Sequence, residues 1–455
     1  MLFASGLSIN KVEGGWRDHT LSGVKYEMPG VSVDAGRFHL ALNLNCLLHS
    51  SVCVNDIGLQ DVSVVVDSKK MAPAAAPPPQ EESGSTNLTT PYPITLSKVG
   101  LHNINVKVDD TSISLLDFTT GLNWQGRALT LTPTHIQSLL IALPKAAKVV
   151  DEQVVQPKVQ QPQPDEKPLG ETLQEMFAKP LLPELPDFQL PLDITVQELL
   201  GEQLRLTGDT DVSITRLLLK AKTADRHLQL ETFDIDSPQG QVNASGDAQL
   251  ADNWPVNFAL SGSLNLDPIK GEKIKMNLSG AMREELKLGL NLSGPVRAQL
   301  DAAAQPAVAG LPLSLKLTSP ELRWPLTGPV QYQADNLDYQ FKGKATDYVM
   351  SLRTAVKGEA VPPATISLDG KGNVQQFNLD KLRVAALQGN VDLTALVDWS
   401  KAISWRSELT LSGINTAKQY PDWPAKLDGK IATRGSLYGG SWQLSVPQLE
   451  LKGNV

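Results

Sequence analysis

Apolar residues alternate with polar or small ones through most of this chain. The strictest run is Leu286-Lys287-Leu288-Gly289-Leu290-Asn291-Leu292. Ile274–Leu278, Leu311–Leu317, Ile366-Ser367-Leu368 and Leu409-Thr410-Leu411 follow the same rule. Successive side chains of a strand point to opposite faces, so each run predicts a strand with one aliphatic face and one wet face. Ser-Gly, Asp-Gly and Gly-Asn pairs mark the turns between runs. The inward candidates are Ile274, Met276, Leu278, Leu286, Leu288, Leu290, Leu292, Leu313, Leu315, Leu317, Ile366, Leu368, Leu409 and Leu411. Pro312 would remove a ladder hydrogen bond, which predicts that its strand lies at an edge or carries a bulge.

The runs repeat as a unit. Phe233–Gly262 and Leu382–Gly413 share a scheme in which Gln239-Gly240 matches Gln388-Gly389, Val242 matches Val391, and Leu260-Ser261-Gly262 matches Leu411-Ser412-Gly413. Leu449–Val455 reads as the start of a further copy. Such a unit cannot bury its apolar face alone, and stacked copies build one long sheet. The expected fold is all-β: an elongated, curled repeat sheet, a β-groove, with an aliphatic concave face and one or two short helices around 134–179.

In chain order, 1–68 reads as short strands and turns, and 69–93 as a disordered Pro/Ala/Glu-rich loop with too little apolar area to offset its ordering entropy. Strands resume over 94–133, where Gly121–Leu131 reads as a hairpin. In 134–179, Ile136, Leu139, Leu140, Leu143, Ala147 and Val150 follow helical spacing, interrupted by Pro144. A polar, Pro-rich linker occupies 151–168. Gly170–Lys179 then reads as a short helix with Leu173, Met176 and Phe177 on one face. The helical pieces fit either a cap on the end of a sheet or a detached amphipathic element. From 180 to 455 the strand pattern is almost continuous. Trp254, Trp324 and Trp423 each precede Pro, which pushes them toward extended geometry. They read as strand starts at repeat corners, with ligand stacking as the sharper alternative.

Composition narrows the function. The formal charge is -8 with no basic block, which argues against nucleic acid. No apolar run approaches the ~18 residues that span a bilayer. Aromatic residues make up only 5% of the chain, so the interior is expected to be thin and aliphatic. The six histidines are scattered through the first half, and no nucleophile elbow, zinc-protease motif, P-loop or dinucleotide fingerprint occurs. The expectation is a non-enzyme without metal or cofactor. The two cysteines are Cys46 and Cys53. A hairpin turn at Leu48–Ser51 would put their sulfurs on facing strands at a separation that suits a disulfide, and so imply an oxidising compartment. Two free buried thiols are the alternative.

An acyl chain of about 16 carbons costs more than ~10 kcal/mol to expose to water, and a long aliphatic face would cover one. The competing reading uses strand edges, whose unpaired N–H and C=O groups could hold unfolded outer-membrane β-proteins without lipid transport.

Particular stretches add a resemblance. Gly14–Asp18, Tyr26–Val31, Cys46–Cys53, Thr90–Leu96, Pro164–Leu173, Gly201–Arg205, Asp252–Val256 and Arg434–Gly440 resemble the TamB family. Its members are inner-membrane-anchored subunits of the translocation and assembly module and belong with the AsmA-like, repeating β-groove proteins. The resemblance implies a periplasmic protein tethered by an N-terminal anchor. It implies phospholipid acyl chains, the outer-membrane partner TamA and outer-membrane β-barrel or autotransporter clients as partners. Family members carry a transmembrane anchor and a C-terminal domain that this chain lacks, so it reads as an N-terminal fragment. No catalytic residues are implied.

Overall fold

The computed structural model describes residues 6–71, 88–144, 167–182, 185–359, 361–422, 424–438 and 441–454. It is all-β and divides into two compact units, Met1–Val150 with Asp187–Ala251, and Asp151–Pro186 with Asp252–Val455.

The first unit contains β1 (Leu7–Gly15), β2 (Asp18–Met28), β3 (Val31–Asn43), β4 (Val52–Val66), β5 (Thr90–Val108), β6 (Thr111–Gly126), β7 (Ala128–Leu131), β8 (Thr134–Ala142), β9 (Asp193–Thr207), β10 (Val212–Ala224), β11 (His227–Ser237) and β12 (Gly240–Gln249). Neighbours in sequence pair antiparallel from β1 to β4, and again from β9 to β12. Between these stretches β5 lies parallel to β4, while β7 and β8 both bridge β6, antiparallel, to β9, parallel. A 3₁₀ turn, Leu44–His49, joins β3 to β4.

The second unit begins with helix α1 (Leu169–Phe177). Its strands are β13 (Pro255–Leu264), β14 (Lys273–Ala281), β15 (Leu286–Ser293), β16 (Arg297–Ala304), β17 (Leu313–Trp324), β18 (Tyr332–Lys344), β19 (Asp347–Gly358), β20 (Ala364–Gly372), β21 (Gln376–Ala386), β22 (Gly389–Asp398), β23 (Ile403–Asn415), β24 (Lys426–Tyr438) and β25 (Ser441–Asn454). They form one antiparallel meander in which every strand pairs with the next. The sequence repeat is a repeat of register. In β11–β12, Ser237 pairs with Gly240 and the register shifts between Leu230 and Phe233; in β21–β22, Ala386 pairs with Gly389 and the shift falls between Leu379 and Leu382.

Several expectations change. The helical spacing over 135–150 gives a strand over Thr134–Ala142, paired on both sides by β6 and β9; 145–150 lie outside the described residues. Ser138 has φ 52°, a kink that replaces steps of two by a step of three from Ile136 to Leu139 and so imitates a helix. The loop expected over 69–93 falls largely on residues outside the description, and β5 is already under way at Thr90. Of the two alternatives for the strand at Pro312, the bulge holds: β17 steps from Thr318 to Glu321 while β16 steps only from Gln299 to Arg297, but the bulge is not at Pro312 itself. Pro312 precedes β17, an interior strand, so its missing N–H falls outside the ladder, and its carbonyl accepts from the Gln305 amide at 2.9 Å. Trp254 stands before β13 with φ 53° rather than in extended geometry, in a turn where its carbonyl accepts from the Met282 amide at 3.0 Å. Trp324 ends β17 instead of starting a strand, and Trp423 lies outside the described residues.

Candidate functional site

Directly paired residues of an antiparallel ladder project to the same face, so register shows which side chains share a surface. One row crosses the second unit without a polar break: Leu260, Met276, Leu290, Leu300, Leu317, Tyr339, Leu352, Leu368, Leu382, Leu393, Leu409, Ile431 and Leu449. With strands ~4.8 Å apart the row is roughly 55–60 Å long. The other inward candidates lie in rows beside it. Leu278, Leu288 and Leu315 form one with Phe258, Ala302 and Phe341. Ile274 pairs with Leu292, while Leu286 reaches Leu313 through Ala304. Ile366 reaches Leu411 through Val384 and Val391. All fourteen candidates therefore share one face of one sheet.

Each candidate is half-buried, and among the described residues no large side chain is fully buried. A second sheet packed over this face would seal its leucines. Half-burial instead means that neighbouring side chains shelter one another on an open apolar surface. Bulges preserve the face: Leu379 steps to Leu382 and Leu411 to Ile414, so an extra residue is absorbed without turning the leucines outward.

Sequence reasoning missed the rings on this face. Gly343, Tyr348, Gly372, Phe377, Val397, Trp405 and Gly435 form a row in which aromatics lie beside glycines. Phe341 and Tyr348 stack at 5.0 Å between centroids, and Tyr348 and Phe377 at 6.5 Å. A Cβ on Gly370 would meet the Phe377 ring at 2.4 Å, and one on Gly372 the Tyr348 hydroxyl at 2.6 Å. These glycines make room for rings to lie flat. Burial pushes the Tyr348 hydroxyl pKa up, and Tyr339 adds to the effect. Ring and glycine sit on different strands, so only the register reveals the fit.

The opposite face is ionic. Arg353 holds Asp369 through two bonds of 2.7 and 2.9 Å, and Arg383 holds Asp392 through bonds of 2.7 and 3.0 Å. Arg383 draws the Asp392 carboxyl below the usual range. Lys287 and Lys316 project on this side, paired in register with Ser279 and Asp301.

One end of this sheet carries a strap. In order along the chain, the Gly170 amide donates to Trp399 O, Gln174 Oε1 accepts from Gln375, Phe177 O accepts from the Gly310 amide, the Leu182 amide donates to Pro306 O, and Leu185 O accepts from Arg283. The segment thus bonds in turn to the β22–β23, β20–β21, β16–β17 and β14–β15 connections. Leu173 and Phe177 are half-buried, whereas Met176, expected on the same face, is exposed.

In the first unit Cys46 and Cys53 are disulfide-bonded with a Cα separation of 5.9 Å. Cys46 sits in the 3₁₀ turn rather than on a strand facing Cys53, whose ladder partner is Asn43. A polar hollow of about 560 Å³ includes Arg37, His39, Asp56, Lys98, His102 and Asp117. Among the described residues no group of His, Cys, Asp or Glu could hold a metal ion, and no helix is long and apolar enough to cross a membrane.

The family model described as "TamB, N-terminal domain" matches residues 2–455. The chain belongs to this family. A curated relative, "Translocation and assembly module subunit TamB" of Haemophilus influenzae, is 25% identical over 98% of this chain and 35% of its own length. An uncharacterised protein of Buchnera aphidicola subsp. Schizaphis graminum is 20% identical over 96% of this chain and 46% of its own. Another, from Buchnera aphidicola subsp. Acyrthosiphon pisum, is 18% identical over 99% of this chain and 44% of its own. The chain thus spans between about a third and a half of the curated relatives it matches. No solved structure matches it significantly.

Proposed function

We propose that the apolar face of the second unit carries phospholipid acyl chains, as part of a non-enzymatic periplasmic protein that moves lipid between inner and outer membranes and, with the partner TamA, supports assembly of outer-membrane and autotransported proteins. The unbroken row from Leu260 to Leu449 carries this reading. A disordered tail needs continuous apolar area rather than a shaped pocket, and an open face leaves the polar head group in water. The disulfide supports an oxidising compartment. Membership of a family whose curated relative is named as a translocation and assembly module subunit supports the assembly role. The strand-edge reading has less to work with, because β14 to β24 have both edges paired.

The test is a photoreactive residue at position 288 or, separately, at 287, in the cell-expressed protein. Parity puts the two on opposite faces. Phospholipid adducts at 288 and not at 287 are expected. Lipid at neither position, with β-barrel peptides captured at strand edges, would sink the lipid reading in favour of a scaffold.

A further inference from the structure

Three connections meet at one end of the first unit. The Leu42 amide donates to Arg17 O at 2.7 Å, which joins the β1–β2 turn to the end of β3. Asn43 pairs with Cys53, and Cys53 with Thr95, which brings in the 3₁₀ turn and the start of β5. At this tip the largest apolar side chains are turned outward: Trp16 is 67% exposed, Leu47 59%, Leu48 83%, Val52 43% and Tyr92 57%. A turn governed only by its own folding would face polar groups to water. Here the disulfide ties the turn down with its two leucines outside.

The charge pattern says what would cover them. The chain as a whole is at -8, yet Gly14–Arg17, Asn43–Asn55 and Leu88–Ser97 contain no Asp or Glu. Arg17 is the one fully ionised side chain among them, and its guanidinium lies over the Trp16 ring at 4.9 Å. Along the chain, acidic residues flank the first two of these segments at Glu13, Asp18 and Asp56, and Asp193 lies near Leu88, whose amide donates to Pro191 O. Trp and Tyr, which place an apolar ring and a polar edge at different depths, surround leucines that can enter the acyl region, while an Arg reaches outward to phosphate. We propose that this tip is a membrane-contact element that inserts Trp16, Leu47, Leu48 and Tyr92 into the interface of a lipid bilayer. The proposal is independent of cargo on the second unit, since it concerns a different surface and a surface-bound lipid.

The purified chain is floated with phosphatidylcholine vesicles, with and without added phosphatidylglycerol. The chain is expected to float on both, with a modest gain from the anionic lipid because Arg17 is the only fixed cation within the three tip segments. The double variant Leu47→Ser/Leu48→Ser is expected to lower partitioning ~10-fold or more, from the apolar area left in water. Val349→Ser, which removes an apolar side chain 54% exposed in the second unit, is expected to change nothing. Circular dichroism and thiol titration check that each variant is folded and bridged. Equal flotation of the tip variant and the parent, or no flotation of either, would overturn the proposal. So would loss of flotation in Leu288→Glu with retention in the tip variant, a result that leaves the lipid-carrying face intact. A photoreactive residue at 48 is expected to yield lipid adducts in cells; adducts to protein alone would also overturn it.

Discussion

Glu321 lies between two guanidinium groups, bonded to Arg323 at 2.6 Å and also to Arg297 on the neighbouring strand. Its side chain is only 14% exposed. Arg323 and then Arg297 hold its carboxyl below the ordinary value of 4.5. A carboxylate with a depressed folded-state pKa favours folding above its unfolded pKa, and that contribution disappears as pH falls through the folded value. Glu321→Gln is therefore expected to be less stable than the parent at neutral pH, with the gap closing below about pH 4.5. Urea unfolding across a pH series reads this directly. A constant gap down to strong acid would mean that the ion pairs contribute nothing and that the substitution acts through packing. Asp392, bonded to Arg383, is shifted downward in the same way, and its side chain is more exposed than that of Glu321.

At the scale of elements, Gly170 decides whether the strap can lie against the sheet. A Cβ there would meet Ser400 Cα and Trp399 O at 2.8 Å each, both backbone atoms that cannot swing aside. Gly170→Val is expected to release the strap at a cost of about 1–3 kcal/mol. In hydrogen exchange, the Gly310 amide, which donates to Phe177 O, should lose protection while the Met276 and Leu290 amides keep theirs. Equal loss throughout would show that the strap and the meander unfold as one. Before the structure, the strap was visible only as a short helix after a Pro-rich linker, because its partners lie at Trp399, Gln375 and Gly310, remote in sequence. The strands were legible wherever strict alternation met a turn pair, as in Leu286–Leu292. Bulges were legible in principle too. Leu230 to Phe233, Leu379 to Leu382 and Leu411 to Ile414 are each a step of three inside an alternating run. The same step misled at Ile136–Leu139, where a kinked strand and one turn of helix place apolar residues alike, and pairing to β6 and β9 decides between them. The aliphatic face was legible from parity alone. The aromatic row was not, since the partner of each ring is a glycine on the next strand.

At the scale of the whole apolar row, the question is whether its residues act in series or as independent sites. Leu290 on β15 and Leu393 on β22 belong to the same row, separated by six strands. A carboxylate at either position forces a sliding acyl chain past an ionised group that is costly to desolvate. If lipid travels along the row, each charge is a barrier on one path, and the higher barrier sets the rate. Leu290→Glu and Leu393→Glu are each expected to slow transfer of a fluorescent phospholipid between vesicles several-fold, with the double variant no slower than the worse single one. Asn291→Glu, one residue away on the wet face, is expected to transfer like the parent. Independent binding sites predict a different pattern: each single change removes its own share, and the two losses combine. Equal transfer by Leu290→Glu and Asn291→Glu would mean that parity does not matter, and the row would then be a structural seam of the sheet rather than the surface on which lipid moves.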